Sequence, residues 1–271
     1  MNKQHIILPD VPAILLQDVM NRRVQARIVS TQQGVVAGIE EMVLQAKILG
    51  LEVVVEKPTG KEVFPGDVVA SFRGDPLQIV RGEECLLGII SKVSGIATAA
   101  RQAVALAGKV QVVSGGWKKV PREMKDHARR GLMAGGVALR MLAEPFVYLD
   151  KNYLRIFGSH QAAISAAAAF PERSLVLQIR GETMEIQTEA VLAAQLGVSV
   201  VMVDTGSIAD LRACAASLTQ LGLRSKVKLA FGGGVELSDL PKLQEEDLDI
   251  VDMGRAILDA PLLDLRYDVQ N

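Results

Sequence analysis

Hydrophobic and polar positions follow one pattern in the first part of the chain, up to about residue 108. Residues 24–30 (VQARIVS) and 51–57 (LEVVVEK) predict strands, and residues 39–49 predict a helix. Residues 83–107 repeat apolar side chains at helical spacing over several turns, which predicts a long, well-buried connecting helix. The pattern therefore predicts an α+β unit in this region.

A turn signal interrupts the same region at Pro65, Gly66 and Asp67. These residues separate two short apolar runs within residues 62–74 (EVFPGDVVASFRG), and proline and glycine favour tight reversals of the backbone. We therefore expect a β-hairpin here.

From Lys109 onward, the pattern changes to short apolar runs separated by helical segments. Valine, isoleucine and leucine follow one another without polar alternation, which is typical of strands covered on both faces in a parallel sheet. Strands and helices repeating at this spacing favour an incomplete TIM-like α/β barrel over a doubly wound sheet. We expect an α/β fold with two closely packed domains, residues 1–108 and 109–271. The predicted barrel strands span residues 110–113, 146–149, 174–179, 198–203, 227–231 and 248–253.

Composition limits the classes of partner. With 271 residues, of which 49% are hydrophobic, the chain is long enough to form substantial cores. Its 30 basic and 31 acidic residues nearly cancel, so we expect no nucleic acid or membrane partner, and small molecules are favoured. No apolar run has the length of a signal-peptide core or a membrane span, and we expect a cytoplasmic protein.

Cysteine and histidine positions do not indicate a metal or redox centre. Cys85 and Cys214 lie in apolar, helical segments, where burial as small hydrophobic residues is favoured over a disulfide or a nucleophile. His5, His127 and His160 are scattered along the chain, so we predict no structural zinc.

Glycines follow the last two predicted strands. Gly232, Gly233 and Gly234 come after residues 227–231, and Gly254 with Arg255 comes after the next strand. Loops at this end of a barrel commonly bind phosphate, because backbone N–H groups and helix N-termini converge there. Glycine lets an anion approach the backbone, and an arginine binds phosphate through paired hydrogen bonds. These loops predict a phosphate-bearing ligand, although glycines that only permit tight turns remain the alternative.

A sequence on the long helix, Ser94 to Thr98 (SGIAT), resembles the hallmark helix of the quinolinate phosphoribosyltransferase family. The resemblance implies an N-terminal α/β sandwich, a C-terminal α/β barrel, and a dimer in which one subunit's N-terminal domain covers the other's barrel mouth. Further matching segments occur in the family's order over nearly the entire chain: GVVAGIEE (34–41), FPGDVVA (64–70), AGGVALRM (134–141), VMVD (201–204), AFGGGV (230–235) and VDMGRAI (251–257).

The resemblance also implies an activity and a set of site residues. Family members transfer phosphoribose from phosphoribosyl pyrophosphate (PRPP) to a pyridine carboxylate with Mg²⁺ and release pyrophosphate. Lys118 and Asp204 match the family's pattern, whereas Trp117 stands where an arginine is expected. An acidic strand residue used near the ribose corresponds to Gln178 or Arg180, and the sequence leaves that register open.

Other positions differ in charge from the family. Glu84 stands where the partner's long helix contributes an arginine, and Asp150-Lys151-Asn152 replaces Lys-Asp-Asn. Leu139-Arg140 replaces a His-Arg pair. A dianionic pyridine needs several cationic groups around it, so acidic residues at two such positions argue against quinolinate as the base. We predict a neutral or cationic aromatic base.

Each of these residues has an expected role. Trp117 stacks on the base, and Glu84 and Asp150 accept hydrogen bonds from it; the alternatives are a packing role for Trp117 and a solvated or ion-paired Glu84. Lys118, Arg140 and Lys151 neutralise phosphates, unless Lys118 and Lys119 are a solvated pair, and Asp204 orients the ribose hydroxyls or Mg²⁺. Two rival functions remain: a barrel for another phosphorylated molecule, and a non-catalytic nucleotide or phosphate sensor. The glycine loops that we expect to hold the 5′-phosphate comprise Gly232, Gly233, Gly234, Gly254 and Arg255.

Overall fold

The computed structural model describes residues 10–270, a range that leaves out His5, and it divides the chain into two compact units. One unit comprises the chain up to Thr98 together with the segment from Pro261, and the other spans Ala99–Ala260. The hydrophobic pattern predicts a boundary at residue 108, with the C-terminal segment in the barrel. In the structure that segment belongs to the first unit instead.

The described residues form twelve strands and ten α-helices. Up to residue 107 they are α1 (Val11–Leu15), β1 (Val24–Ser30), β2 (Gly34–Val35), α2 (Ile39–Ile48), β3 (Glu52–Val55), β4 (Glu62–Val63), β5 (Val68–Gly74) and α3 (Pro76–Ala107). From residue 111 they are β6 (Gln111–Val113), α4 (Lys125–Gly135), β7 (Phe146–Leu149), α5 (Lys151–Phe157), α6 (His160–Ala167), β8 (Ser174–Ile179), α7 (Ile186–Gln195), β9 (Val200–Asp204), α8 (Ile208–Gln220), β10 (Lys228–Gly232), α9 (Leu240–Leu243), β11 (Ile250–Asp252), α10 (Arg255–Leu258) and β12 (Leu265–Gln270). Short 3₁₀ turns cover Gln17–Val19, Gly116–Lys119, Arg122–Met124, Arg224–Lys226 and Leu237–Asp239.

The first unit contains an antiparallel sheet with strand order β12-β1-β5-β3 and a separate pair formed by β2 and β4. In β1, Ala26 and Ile28 are buried while Gln25 and Arg27 are exposed. This alternation is expected of a strand with one face against a core. The largest side chains of that core include Ile28, Met42, Phe72, Ile79, Leu86 and Ile90.

The long helix α3 begins at Pro76, earlier than the hydrophobic pattern predicts. Asp75 precedes it and accepts a hydrogen bond from the Gln78 backbone N–H, while the Gln78 side chain accepts one from the Asp75 N–H, each at 2.9 Å. These reciprocal bonds satisfy donors that the first turn of a helix leaves unpaired, and proline is well tolerated at the first helical position. The polar cap therefore extends the helix beyond its apolar stretch.

The predicted hairpin is wrong, although its turn is present. The Asp67 N–H donates to the Phe64 carbonyl at 3.0 Å, and the Asp67 carboxylate accepts from the Phe64 N–H at 3.0 Å. The flanking strands separate, because β4 pairs with β2 whereas β5 pairs with β1 and β3. Local turn chemistry thus predicted the chain reversal and not the partners of the strands.

The second unit contains a parallel sheet in the order β6-β11-β10-β9-β8-β7. Val113 of β6 and Phe146 and Tyr148 of β7 pack in the same hydrophobic cluster, although their strands stand at opposite ends of this order. The sheet is therefore rolled around its interior, and among the described residues no ladder joins β6 to β7. The predicted incomplete α/β barrel is confirmed.

The two cysteines are free thiols. Cys214 is buried on α8, and burial raises the pKa of its thiol to about 12, so it remains protonated at neutral pH. Cys85 is only partly buried, which the prediction of burial for both residues overstated. Among the described residues, no helix combines the length and apolarity needed to span a membrane.

Candidate functional site

A cleft of about 730 Å³ opens at the carboxyl ends of the parallel strands in the second unit, and we call it the central cleft. The carboxyl ends of parallel strands meet at one edge of a sheet, so residues far apart in sequence converge there. The side chains and glycines that line the central cleft are Gly115, Gly116, Lys118, Lys119, Tyr148, Asp150, Lys151, Asn152, Gln178, Met202, Asp204, Gly233, Gly234, Val235, Glu236, Asp252, Gly254, Arg255 and Ala256.

Most of the predicted site residues lie in this cleft, and four do not. Trp117 and Arg140 line a neighbouring cavity, and Gly232 is buried beneath the cleft. Glu84 is an exposed residue of α3 in the first unit, and Arg81, three residues before it, pairs with Asp10. The predicted residues that line the central cleft are Lys118, Asp150, Lys151, Asp204, Gly233, Gly234, Gly254 and Arg255.

The glycines after β10 serve different purposes. A Cβ at Gly232 would collide with the Met202 side chain, and one at Gly233 would collide with the backbone of Gly206. The Gly206 N–H donates to the Gly232 carbonyl at 2.9 Å, which holds the two loops together. Gly234 has a φ of 91° and open space where a Cβ would stand. Close packing of the two loops therefore requires glycine at position 233, position 232 packs against the movable end of Met202, and Gly234 leaves backbone accessible in the cleft.

Asp204 lies at the end of β9 and is held by two neighbours from the end of β8. Gln178 donates to Asp204 through its side-chain amide at 2.5 Å, and Arg180 donates through its guanidinium at 2.8 Å. Gln178 also accepts from the Lys151 N–H at 2.8 Å, which links β7 to the same group. Because an acidic side chain at position 178 would face the Asp204 carboxylate, the glutamine avoids a repulsion between like charges. The two residues between which the sequence could not decide, Gln178 and Arg180, thus both contact Asp204, and Gln178 lines the cleft.

Asp150 has a structural role that sequence reasoning missed. Its carboxylate accepts hydrogen bonds from the backbone N–H groups of Asn152 at 2.9 Å and Tyr153 at 3.2 Å, at the start of α5. A carboxylate at a helix N-terminus satisfies unpaired donors and interacts favourably with the helix dipole. This cap explains an acidic residue here without a base, and a hydrogen bond that Asp150 accepts from the base stays a prediction.

Asp252, at the end of β11, is a site residue that sequence reasoning did not single out. One of its oxygens accepts a hydrogen bond from the Gly115 N–H at 3.1 Å, which joins the loops after β6 and β11. Burial raises the pKa of Asp252 and the charge of Asp204 adds to the rise, while the Gly115 bond and the charges of Lys118 and Lys119 oppose it. A carboxylate directly after the apolar pair Ile250 and Val251, before Gly254, was the available signal.

A second cavity of about 210 Å³ adjoins the central cleft, and we call it the aromatic cavity. The two share Gly115, Lys118, Tyr148 and Asp252, so a ligand that occupies both is sterically reasonable. Burial and the surrounding carboxylates raise the pKa of Tyr148, which keeps its phenol protonated. The lining residues of the aromatic cavity are Val113, Gly115, Trp117, Lys118, Leu139, Arg140, Met141, Phe146, Tyr148 and Asp252.

Arginine guanidinium groups lie over two aromatic rings of this cavity. The Arg129 guanidinium lies 3.9 Å from the Trp117 ring centroid, and that of Arg140 lies 5.5 Å from the Phe146 centroid. These are cation–π distances. The Trp117 indole N–H is buried and has no hydrogen-bond partner among the described residues. Trp117 therefore packs against Arg129, and its indole N–H remains available as a donor to a ligand.

Charges in the central cleft are balanced. Its four cationic and four acidic side chains would sum to no net charge if all were ionised. Arg255 is already engaged, because its guanidinium donates to the Glu236 carboxylate at 3.0 Å. The cationic residues among those that line the cleft are Lys118, Lys119, Lys151 and Arg255, and the acidic ones are Asp150, Asp204, Glu236 and Asp252.

Known proteins resemble the chain over almost its full length. A probable nicotinate-nucleotide pyrophosphorylase (carboxylating) of Archaeoglobus fulgidus is 28% identical over 263 residues, which cover 96% of this chain and 98% of the relative. The nicotinate-nucleotide pyrophosphorylase (carboxylating) of Rattus norvegicus is 30% identical over 214 residues, 76% of this chain and 69% of the relative. The crystal structure of nicotinate-nucleotide pyrophosphorylase from Pyrococcus furiosus has a TM-score of 0.83 at 23% identity, with 99% of this chain and 78% of that chain covered. At that identity the last comparison shows a shared fold.

Family models match both halves of the chain. Residues 10–94 match the N-terminal domain of quinolinate phosphoribosyl transferase, and residues 96–268 match its C-terminal domain. The second match includes all six strands of the barrel and every residue of the central cleft. The chain therefore belongs to the quinolinate phosphoribosyl transferase family.

Proposed function

We propose that the protein transfers the phosphoribosyl group of PRPP to a ring nitrogen of an aromatic base and releases pyrophosphate. The observation that carries this proposal is one cleft that combines glycine loops and lysines with an adjoining aromatic cavity. Its relatives are named for the same kind of transfer, as nicotinate-nucleotide pyrophosphorylases.

In the proposed reaction, the bond between C1 of the ribose and the pyrophosphate oxygen breaks. Pyrophosphate leaves with the bonding electrons, and the lone pair of the ring nitrogen forms the new bond to C1. A pyridine-type nitrogen becomes a pyridinium cation, so this step requires no proton transfer. The chain's contribution is to align the two reactants and to stabilise the charge on the leaving pyrophosphate.

The residues of the central cleft supply those interactions. Backbone N–H groups near Gly234 and Gly254 and the guanidinium of Arg255, all at the cleft, would hold a 5′-phosphate. Lys118 and Lys151 approach the same space from the loops after β6 and β7 and would neutralise pyrophosphate.

A divalent cation fits this cleft as a companion of the substrate phosphates. Mg²⁺ is usually bound by one or two carboxylates together with phosphate oxygens, and it would neutralise charge on the pyrophosphate. Within the described part of the chain, no cluster of three or more His, Cys, Asp or Glu residues could hold a metal by itself. Asp204 is the ligand that we propose, because Gln178 and Arg180 both contact its Oδ2 atom and no residue within 10–270 donates a hydrogen bond to Oδ1.

We further propose that the base is not quinolinate. A dianionic base bound beside PRPP would add negative charge to a cleft whose own side chains balance, and Asp252 stands at the boundary with the aromatic cavity. Placing like charges next to each other in an interface costs several kcal/mol. A neutral or cationic base avoids this cost.

The decisive experiment measures pyrophosphate release from PRPP and Mg²⁺ with quinolinate, nicotinate, nicotinamide and amino-substituted heterocycles offered separately. Turnover with a neutral or amino-bearing base supports the whole proposal. Turnover with quinolinate supports phosphoribosyl transfer and refutes the proposed charge selection. PRPP binding without turnover of any base would instead indicate a non-catalytic phosphate-binding relative.

A homodimer with a shared site is the assembly that we propose, with Glu84 of a second subunit near the base. Glu84→Arg should then change base affinity about tenfold while PRPP affinity stays constant, because a charge of opposite sign is placed next to one ligand only. Titration calorimetry with both ligands checks this, and sedimentation measures the assembly. The exposed neighbour Glu83 provides the control Glu83→Arg. Equal changes for both ligands, or none, would count against the shared site.

A further inference from the structure

Asp252 lines both the central cleft and the aromatic cavity. It is the last residue of β11, and its position is held by the bond from the Gly115 N–H at 3.1 Å. A ligand with an aromatic ring in the cavity and its substituted nitrogen in the cleft would lie beside this carboxylate. Asp252 therefore lies where it would contact the base rather than the phosphates.

The hydrogen bonding of this carboxylate is incomplete. A carboxylate offers about four acceptor positions, and the structure records one donor to Asp252, the Gly115 N–H, among the described residues. No ion pair of Asp252 is recorded with a described cation, although Lys118 and Lys119 are close enough to influence its charge. A largely buried carboxylate that lacks donors is costly, and a ligand N–H group would offset that cost.

Glycine at position 115 keeps the second oxygen of Asp252 accessible. A Cβ built there would stand 3.9 Å from the Asp252 Oδ2 atom, and nothing else lies within 4 Å of it. A larger side chain at 115 would thus cover the carboxylate. The cavity walls beside it are aromatic, formed by Trp117, Phe146 and Tyr148, and suit a flat ring.

We propose that Asp252 determines specificity by accepting a hydrogen bond from an N–H group on the base, an amide or amino substituent, and by repelling a carboxylate at that position. This inference rests on the proposed function, because it assigns the aromatic cavity to the base. Lys118 and Arg140 also line the cavity and favour the opposite choice, a base with a carboxylate. The two choices predict opposite orders of affinity.

Three ligands of nearly equal shape separate these choices: nicotinamide, 3-acetylpyridine and nicotinate. Nicotinamide brings an N–H donor, 3-acetylpyridine replaces that donor by a methyl group, and nicotinate brings a negative charge. Binding is measured by calorimetry and by the fluorescence of Trp117, which is the chain's single tryptophan. For the unmodified protein we expect nicotinamide to bind about tenfold more tightly than 3-acetylpyridine, with nicotinate weakest.

Variants at position 252 test the residue directly. Asp252→Asn keeps the shape and removes the charge, so the preference for nicotinamide should fall to about threefold or less and nicotinate should bind about tenfold more tightly. Asp252→Ala removes the acceptor and should abolish the preference. Asp259→Asn is the matched control, because Asp259 is exposed and outside both cavities, and it should change neither ratio.

Several results would overturn the inference. These are equal affinity of the unmodified protein for nicotinamide and 3-acetylpyridine, tighter binding of nicotinate, an unchanged preference in Asp252→Asn, or no binding of any of the three at millimolar concentration. PRPP binding and pyrophosphate release are measured on the same preparations. A retained donor preference without pyrophosphate release refutes the transferase and leaves the role of Asp252 standing, whereas release without the preference refutes the role of Asp252 alone.

Discussion

Individual side chains in the central cleft are held mostly by neighbours from adjacent strand ends. Asp204 is fixed by Gln178 and Arg180, Asp252 by the Gly115 N–H, and Arg255 by Glu236. Such contacts place charged groups before a ligand arrives, which lowers the cost of ordering them on binding. They also mean that a ligand phosphate has to compete with protein carboxylates.

Glu236 competes with phosphate for Arg255. The pair is largely exposed, with the Arg255 guanidinium 3.0 Å from the Glu236 carboxylate. Glu236→Gln removes the competing charge and keeps a side-chain oxygen, which caps the 3₁₀ turn Leu237–Asp239. Phosphate affinity should therefore rise about threefold to tenfold. Calorimetric titration of PRPP measures this. Glu245→Gln, at an exposed position outside the cleft, should leave the affinity unchanged, and an equal gain in both variants would contradict the assignment.

Asp252 should make stability depend on pH. Its pKa is raised in the folded protein, so the folded state holds the proton more tightly than the unfolded state does. Below the ordinary carboxyl pKa, Asp252 is protonated in both states and its contribution to stability is fully present. As pH rises toward the raised pKa of the folded state, the unfolded state loses the proton first and this stability is lost. At neutral pH, Asp252→Asn should raise Tm by about 3 °C, equivalent to about 1 kcal/mol for a chain of this size.

Thermal melts at several pH values check this prediction. The gain from Asp252→Asn should shrink as the pH is lowered, because the native carboxyl then becomes protonated and neutral. Asp259→Asn should melt like the unmodified protein at each pH. A gain of the same size at every pH would mean that burial of the charge is not its cause.

At the scale of elements, capping residues decide where helices begin next to the site. Asp75 and Gln78 start α3 by reciprocal hydrogen bonds, and Asp150 starts α5 while lining the central cleft. These polar residues precede the apolar pattern of their helices. Hydrophobic spacing alone therefore does not predict that they start the helices. The acidic residue that argued for an unusual base at position 150 thus has a local structural cause as well.

Two substitutions at Asp150 separate its helix cap from its charge. Asp150→Ala should destabilise the protein by about 1 kcal/mol, because the N–H groups of Asn152 and Tyr153 lose their acceptor. Asp150→Asn keeps a good capping side chain and should cost little stability. Chemical denaturation of both variants tests this. If base affinity falls in Asp150→Asn while stability does not, Asp150 also contacts the base.

At the scale of the whole molecule, the chain returns to its first sheet at its end. Strand β12 pairs with β1 along residues 265–270, and Leu265 and Tyr267 join the core of the first unit. The segment has an alternating pattern, LRYDVQ, that the sequence analysis did not recognise as a strand. The segment follows the barrel in sequence and was therefore assigned to the barrel. Sequence order does not show which distant strand has a free edge for pairing.

Removal of the residues after Asp264 should expose the edge of β1. Amide hydrogens of β1 that bond to β12 should then exchange at least about tenfold faster, because they lose their acceptors. Strands β8 to β10 of the second unit should keep their protection. Hydrogen exchange followed by mass spectrometry measures both. Unchanged protection of β1 would show that β12 does not support the sheet in solution.

The sequence by itself determined the α/β fold class, the bounds of most barrel strands and the family, because continuous apolar runs and ordered segments are local properties of the chain. It also pointed to Lys118, Lys151, Asp204 and the glycine loops, since the ends of parallel strands necessarily converge. Only the tertiary structure decided that β4 and β5 pair in different sheets, that β12 pairs with β1, and that Asp252 lines two cavities. Strand partners and cavity walls depend on contacts between residues far apart in sequence, which no local pattern encodes.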